Sequence, residues 1–305
     1  MNDFGKIPAV LYYYCNINDF FDLTTNKRFL FNDINKSGKF FNAHMLTKIF
    51  YKSIHTNKEV LSQIAKNNST NILNVDLYML ILNQQMVDIE YSIIPLIYGF
   101  SLTSNCNKWY EYEKSSADIC IGIKTDLFKS DKLSDIIKLN KVNYDITEIK
   151  NKTDTIVKSY LENPINQDIR PRDKIQKYID DDLLLDSLTY KNDYFSDENE
   201  YMVILNLFIR ELFLDTEKKE EIIEMILNHS WDNDPYSLTK SEFKTINNQL
   251  VSYKYFGNKN MLDSIVSVHI NPLCDIEKSD IDIILSSKNV NHENIRIEKT
   301  QLKLI

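Results

Sequence analysis

The stretch SIVSVHINPLCDIEKSDIDIILSSKNVNHENIRIEKTQLKL, Ser264–Leu304, decides the reading of the fold. SIVSVHI reads as a strand, DIEKSDIDIILSS carries the three- and four-residue apolar spacing of a helix, and NIRIEKTQLKL reads as a strand again. Strand, helix and strand in that order make a βαβ-like unit. A chain that ends this way builds at least part of a sheet with a helix laid across it.

The rest of the chain extends the pattern. AVLYYYC (9–15) is a short opening strand rich in β-favouring aromatics, and NINDFFDLTTN (16–26) a short helix with Asn18 or Asp19 suited to cap it. KRFLFND (27–33) is a second strand, and INKSGKFFNAH (34–44) a loop carrying Gly38. From Ala43 through Tyr91 apolar residues recur at helical steps, predicting helices packed on the sheet. SIIPLIYGFSLTS (92–104) turns into a strand near Pro95, and ICIGI (119–123) is another buried strand. DTEKKEEIIEMILNH (215–229) is a helix with Glu/Lys pairs along its wet face. The expectation is one α+β domain over 1–305: a mixed sheet core with packed helices, a helical excursion at about 130–190, a helical insertion at about 210–260, and the C-terminal strand–helix–strand unit.

Composition excludes several functions. Of 305 residues only five are glycine, and no G-x-G-x-x-G or G-x-x-x-x-G-K-[ST] occurs, so neither a Rossmann turn nor a P-loop is built here. A net charge of −8 disfavours a general grip on nucleic acid, although a local basic cleft stays open. Cys15, Cys106, Cys120 and Cys274 are scattered and read as reduced thiols. The N-terminus MNDFGKIPAV lacks a basic region followed by an apolar one, and the longest apolar runs are too short to span a bilayer. A cytoplasmic, soluble protein is expected. The five histidines show no ligand spacing, and no metal is expected.

Four places in the sequence carry candidate chemistry. In YKNDYFSDENEYMVILNLFI (190–209), Glu198 and Glu200 flank one asparagine. On an extended backbone residues two apart share a face, so the carboxylates would stand side by side, either on a solvated strand lip or in a cleft that receives positive charge. In GFSLTSN (99–105), Ser101, Thr103 and Ser104 end a strand, where hydroxyls bind a ligand or cap the next turn. In KWYEYE (108–113), Trp109, Tyr110 and Tyr112 are core rings or a platform for a flat ligand. In YDITEIK (144–150), Asp145, Glu148 and Lys150 echo a metal nuclease, but at a spacing too tight for carboxylates on separate strands.

Taken in order, LYYY, RFLFND with FFNAH, GFSLTSNCNKWYEYEKSSADICIGI, YKNDYFSDENEYMVI and the C-terminal unit resemble the bacterial family catalogued as domain of unknown function twenty-nine seventy-one. Its marks are L-Y-K-Y, an F-N-D-P-F-E loop, an F-S…W…Y…G-x-x-I-G-F block, an F…E-x-E-x-R strand and an I-x-I-G-P turn. The sequence departs from them at Tyr13, at Asn42, Ala43 and His44, at Met202 in place of the arginine, and at Asn271 in place of the glycine.

The resemblance implies a layout similar to small ADP-ribosyltransferase-like toxins, among genes of phage defence. It implies NAD as substrate, Glu200 as the main catalytic carboxylate with Glu198 its partner, Ser101 and Thr103 lining the pocket, and Tyr12, Tyr13, Trp109 or Tyr112 stacking on the ligand. Cleaving the glycosidic bond of NAD⁺ develops positive charge at the ribose, which a fixed carboxylate stabilises, while a hydrogen bond to the 2-hydroxyl strengthens as that charge grows. The alternative is a non-catalytic recognition or sensor module that binds a phage product, a nucleotide or a partner protein. The altered basic positions and loop motivate it.

Overall fold

The computed structural model describes residues 7–34, 43–59, 63, 97–109, 117–128, 137–162, 188–191, 193–206, 236–238, 242–246, 249–258, 261–288 and 292–300. The chain divides into two compact units: Met1–Asp33, Tyr98–Lys141 and Glu198–Ile305 form the first, Ile34–Ile97 and Val142–Asp197 the second.

The first unit holds the sheet of this α+β fold. Its strands are β1 (Val10–Cys15), β2 (Arg28–Asp33), β3 (Ile97–Thr103), β4 (Ile119–Lys124), β5 (Ile137–Lys141), β6 (Glu200–Asn206), β7 (Tyr236–Leu238), β8 (Glu242–Ile246), β9 (Gln249–Asn258), β10 (Ile265–Ile270) and β11 (Arg296–Lys299). The strand order is β11-β10-β4-β1-β3-β2-β9-β7, with β6 also paired to β3, β5 to β6 and β8 to β9. Helices α1 (Ile17–Asn26) and, in the second unit, α2 (Ala43–Thr56) and α3 (Ile146–Glu162) precede α4 (Lys278–Ser287), the crossover between β10 and β11. Those two strands pair in parallel, which makes the C-terminal unit the βαβ connection its sequence announces.

Two expectations need correction. Residues 236–258, expected within a helical insertion, form β7, β8 and β9, and Ile137–Lys141 is a strand. The run TINNQLVSYKYFGN alternates Tyr253, Tyr255 and Gly257 with Lys254 and Phe256 on opposite faces, a period of two that the surrounding polar residues obscure. The helix expected at 215–229, the helices expected in the run that follows Glu59 and the loop carrying Gly38 lie outside the described residues. The cap of α1 is Asn16, whose side chain accepts from the Asp19 N–H at 2.9 Å, rather than Asn18 or Asp19 themselves.

Register sorts the sheet into two unlike faces. On one lie Leu11, Tyr13 and Cys15 of β1, Phe29 and Phe31 of β2, Phe100 and Leu102 of β3, Ile119, Ile121 and Ile123 of β4, and Val268 and Ile270 of β10. Phe100 is the hub of its aromatic part, with ring centroids 5.1 Å from Phe29, 4.7 Å from Phe31, 5.3 Å from Tyr13 and 6.0 Å from Phe128. The other face is polar: Ser101 and Thr103, Tyr12 and Tyr14, Cys120 and Gly122, Ser267 and His269, Arg296 and Glu298. A sheet this one-sided buries its apolar face as core; on the second face Thr103, Cys120, Ser267 and His269 are buried as well, at 7% exposure or less.

The second unit packs α2 on α3. The Ser53 hydroxyl donates to Asp154, and Asn57 Nδ2 reaches both the Ser53 carbonyl at 2.8 Å and Asp154 Oδ1 at 3.2 Å. Asp145 caps α3 by accepting from the Thr147 N–H at 2.8 Å. That backbone donor holds its carboxyl below the usual carboxylate range. Asn143 Nδ2 donates to Glu148 Oε2 at 2.9 Å, and Lys152 pairs with Glu148 at 3.4 Å. Asp145 and Glu148 thus serve the start of α3.

Candidate functional site

The polar face of the first unit carries three of the eight expected residues, Tyr12, Ser101 and Thr103. Tyr12 and Thr103 are register partners across β1 and β3, so the tyrosine ring and the threonine hydroxyl share one face, with Ser101 two residues along. Thr103 is 1% exposed; its Oγ1 donates to the Glu198 carbonyl at 3.2 Å and accepts from the Asn105 N–H at 3.3 Å. The hydroxyl at the strand's end therefore does both things its sequence left open. It caps the turn that follows β3, and it fastens that turn to the one that carries the two glutamates.

That second turn differs from the expected extended lip. Asp193–Glu198 is a 3-10 helix, Asn199 takes φ 45°, and β6 starts only at Glu200. The left-handed residue breaks the period of two, so the face-sharing argument for E-x-E does not apply. Asparagine tolerates this region better than other residues with a Cβ. Both glutamates are buried, Glu198 at 9% exposure and Glu200 at 1%, which removes the solvated-lip reading. Asn199→Val is expected to destabilise the protein by about 1–2 kcal/mol, because a β-branched side chain is strained at positive φ, while Asn199→Gly stays near wild type. Denaturant midpoints check both.

The aromatics divide. Tyr12 is half-buried, its ring edge-on to His269 at 5.7 Å, and burial raises its pKa first, with Cys106 and Cys120 adding to the shift. Tyr13 is turned to the opposite face among Phe29 and Phe100, because strand alternation sends neighbours to opposite sides. It drops out of the site. Trp109 is 4% exposed, edge-on to Tyr14 at 4.9 Å, with its indole N–H donated to Thr300 Oγ1 at 3.2 Å. With Ala117 and Cys120 it forms a small core that Tyr12, Tyr14 and Cys106 border. It covers part of the polar face, over Tyr14 and Cys120, and at 4% exposure offers no open ring for stacking. Tyr112 lies outside the described residues.

Met202 and Asn271, two of the positions that depart from the resemblance, have structural roles. Met202 is 1% exposed in β6, a packing position opposite Asn140 of β5. Asn271 holds the turn after β10: its Nδ2 donates to the Ala117 carbonyl at 2.7 Å and its Oδ1 accepts from the Leu273 N–H at 2.9 Å. The cysteines are free thiols, with Cys15 and Cys120 buried.

One glycine is fixed by close approach. A Cβ on Gly122 would sit 2.3 Å from Ser267 Oγ, 3.2 Å from Tyr12 Cε1 and 3.3 Å from Val266 Cγ2. Gly122→Ala is expected to cost about 1–3 kcal/mol through overpacking, read from the shift in denaturant midpoint.

Sequence reasoning passed over Ser267, His269, Arg296 and Glu298, which also lie on the polar face. Their alternation in IVSVH and IRIEK was visible, but nothing local reveals the register that sets Ser267 opposite Arg296 and His269 opposite Glu298. Among the described residues no group of three or more His, Cys, Asp or Glu is arranged to hold a metal ion. No helix among them is long and apolar enough to cross a membrane. The chain matches no family model, no curated protein and no solved structure.

Proposed function

We propose that this protein is an ADP-ribosyltransferase-like enzyme that consumes NAD⁺ as an effector of bacterial phage defence. The observation that carries the reading is the bond from Thr103 Oγ1 to the Glu198 carbonyl. It brings the turn with two buried carboxylates against the end of the serine–threonine strand, beside Tyr12 in register with Thr103.

Glu200 is the carboxylate that takes the nicotinamide-side ribose, and Glu198 is its partner. As the C1′–N bond breaks, nicotinamide leaves with the electron pair and positive charge spreads over the ribose ring. A buried carboxylate held at the start of β6 stabilises that charge without reorganising at the moment of reaction. Ser101 and Thr103 line the floor, and Tyr12 supplies a ring edge for the nicotinamide. The acceptor nucleophile, on a macromolecule or water, then bonds to C1′ and releases its proton.

The test is incubation with NAD⁺ labelled in the adenylate part, alone and with cell lysate, following nicotinamide release and label transfer. Release or transfer supports the reading. Binding of NAD⁺ without either product favours the sensor module, and neither binding nor turnover refutes both nucleotide readings.

A further inference from the structure

We propose that Ser267, His269 and Glu298, with Arg296 beside them, form a second reactive site on the polar face, where Ser267 attacks small activated esters. Four side chains on two adjacent parallel strands make it. Ser267 and His269 are two apart on β10 and face the same way, and His269 Nε2 lies 3.0 Å from Ser267 Oγ. Across the ladder Glu298 is the register partner of His269, and its Oε1 lies 2.9 Å from His269 Nδ1. The contact is at ion-pair distance, without a hydrogen bond of good geometry across it. Serine on one ring nitrogen and carboxylate on the other is the arrangement in which a histidine takes a proton from a nucleophile.

The backbone is bent to make this juxtaposition. Ile265 pairs with Ile123 but Ser267 pairs with Gly122, so β10 carries one extra residue, Val266, against β4. Without that bulge Val266 and Val268 would face the polar side and Ser267 and His269 would not fall in line with Gly122 and Cys120. Bulges recur beside reactive sites because they re-aim side chains in this way. Gly122 then leaves room for the serine hydroxyl, since any Cβ there would meet it. Arg296, directly opposite Ser267 in the ladder, is bound to Glu298 Oε2 through Nη2 at 2.6 Å and Nε at 2.8 Å. Its guanidinium, 73% exposed, is the cation available to a developing oxyanion. Burial lowers the pKa of His269 against the opposing pull of Glu298, which favours the neutral ring as proton acceptor.

The step balances. Ser267 Oγ bonds to the ester carbonyl carbon while its proton passes to His269 Nε2; the alkoxide leaves with the C–O electron pair and takes that proton. Water, giving a proton to His269, then cleaves the acyl–Oγ bond and restores the serine. Ser267 is 7% exposed, so only a slim acyl group reaches it.

A fluorophosphonate probe tests the proposal on the whole wild-type chain. The expected result is one phosphonate on Ser267, located by peptide mass spectrometry, with fluoride released. His269→Ala should slow that labelling at least about a hundredfold. Glu298 acts through His269 as a positioning residue: Glu298→Gln should shift the pH profile of labelling, and Glu298→Asp should restore part of it. Folded wild-type protein left unmodified at Ser267 overturns the proposal. So does labelling at Ser267 that proceeds equally fast in a folded His269→Ala variant, which would mark the cluster as packing.

Discussion

Glu200→Gln is expected to lower the rate of nicotinamide release from NAD⁺ by about 10²- to 10³-fold while leaving the fold intact. The substitution keeps the shape of the side chain and removes only its charge, at a residue that is 1% exposed and opens β6. A charge in such a place acts across little solvent, so its loss falls on the step where positive charge develops. On the proposed reading the nicotinamide-side ribose would still be bound through neutral contacts. The change therefore appears in kcat more than in KM. The controls follow from the two faces of the sheet. Tyr12→Ala, on the polar face, should weaken NAD⁺ binding, whereas Tyr13→Phe, among Phe29 and Phe100 on the other, should leave turnover unchanged. Initial rates at saturating and limiting NAD⁺ separate these outcomes.

Phe100→Ala is expected to destabilise the protein by about 3–5 kcal/mol. Phe100 is 6% exposed and lies among four rings, stacked on Phe29 at an interplanar angle of 16° and edge-on to Phe31, Tyr13 and Phe128. Truncation removes the buried ring and leaves a cavity that strands fixed by their ladders cannot collapse to fill. The loss is roughly two to three times that at Asn199 and comparable to the whole margin of a marginal domain. Equilibrium unfolding of the wild type and the variant in the same denaturant measures it. A change below about 1 kcal/mol would mean that the aromatic cluster is not the core of this unit.

Where the sequence was legible, local periodicity and tertiary packing agreed. β1, β2, β4 and the β10–α4–β11 unit follow AVLYYYC, KRFLFND, ICIGI and the C-terminal stretch, because each pairs β-branched and aromatic residues with one buried face. Around β9 the reading failed, since Tyr253, Lys254 and Tyr255 mix rings with a charge. The strand identity there comes from the ladder with β2, a partner more than two hundred positions away in sequence. The candidate site was legible by type and order, not by geometry. Thr103 and Glu198 are 95 positions apart, and only folding joins them through a hydroxyl and a carbonyl. Asn199 defeated the face-sharing argument because a single positive φ, which asparagine permits but does not announce, converts a presumed strand into a turn. Tyr12 and Tyr13 looked equivalent in LYYY and were separated by strand alternation alone.

The most direct test of the account is a crystal structure of the Glu200→Gln variant soaked with NAD⁺. The account predicts the nicotinamide and its ribose on the polar face, the ribose beside residue 200 and the ring near Tyr12 and Thr103. NAD⁺ found elsewhere, or a variant that binds none while the wild type binds none either, would contradict it.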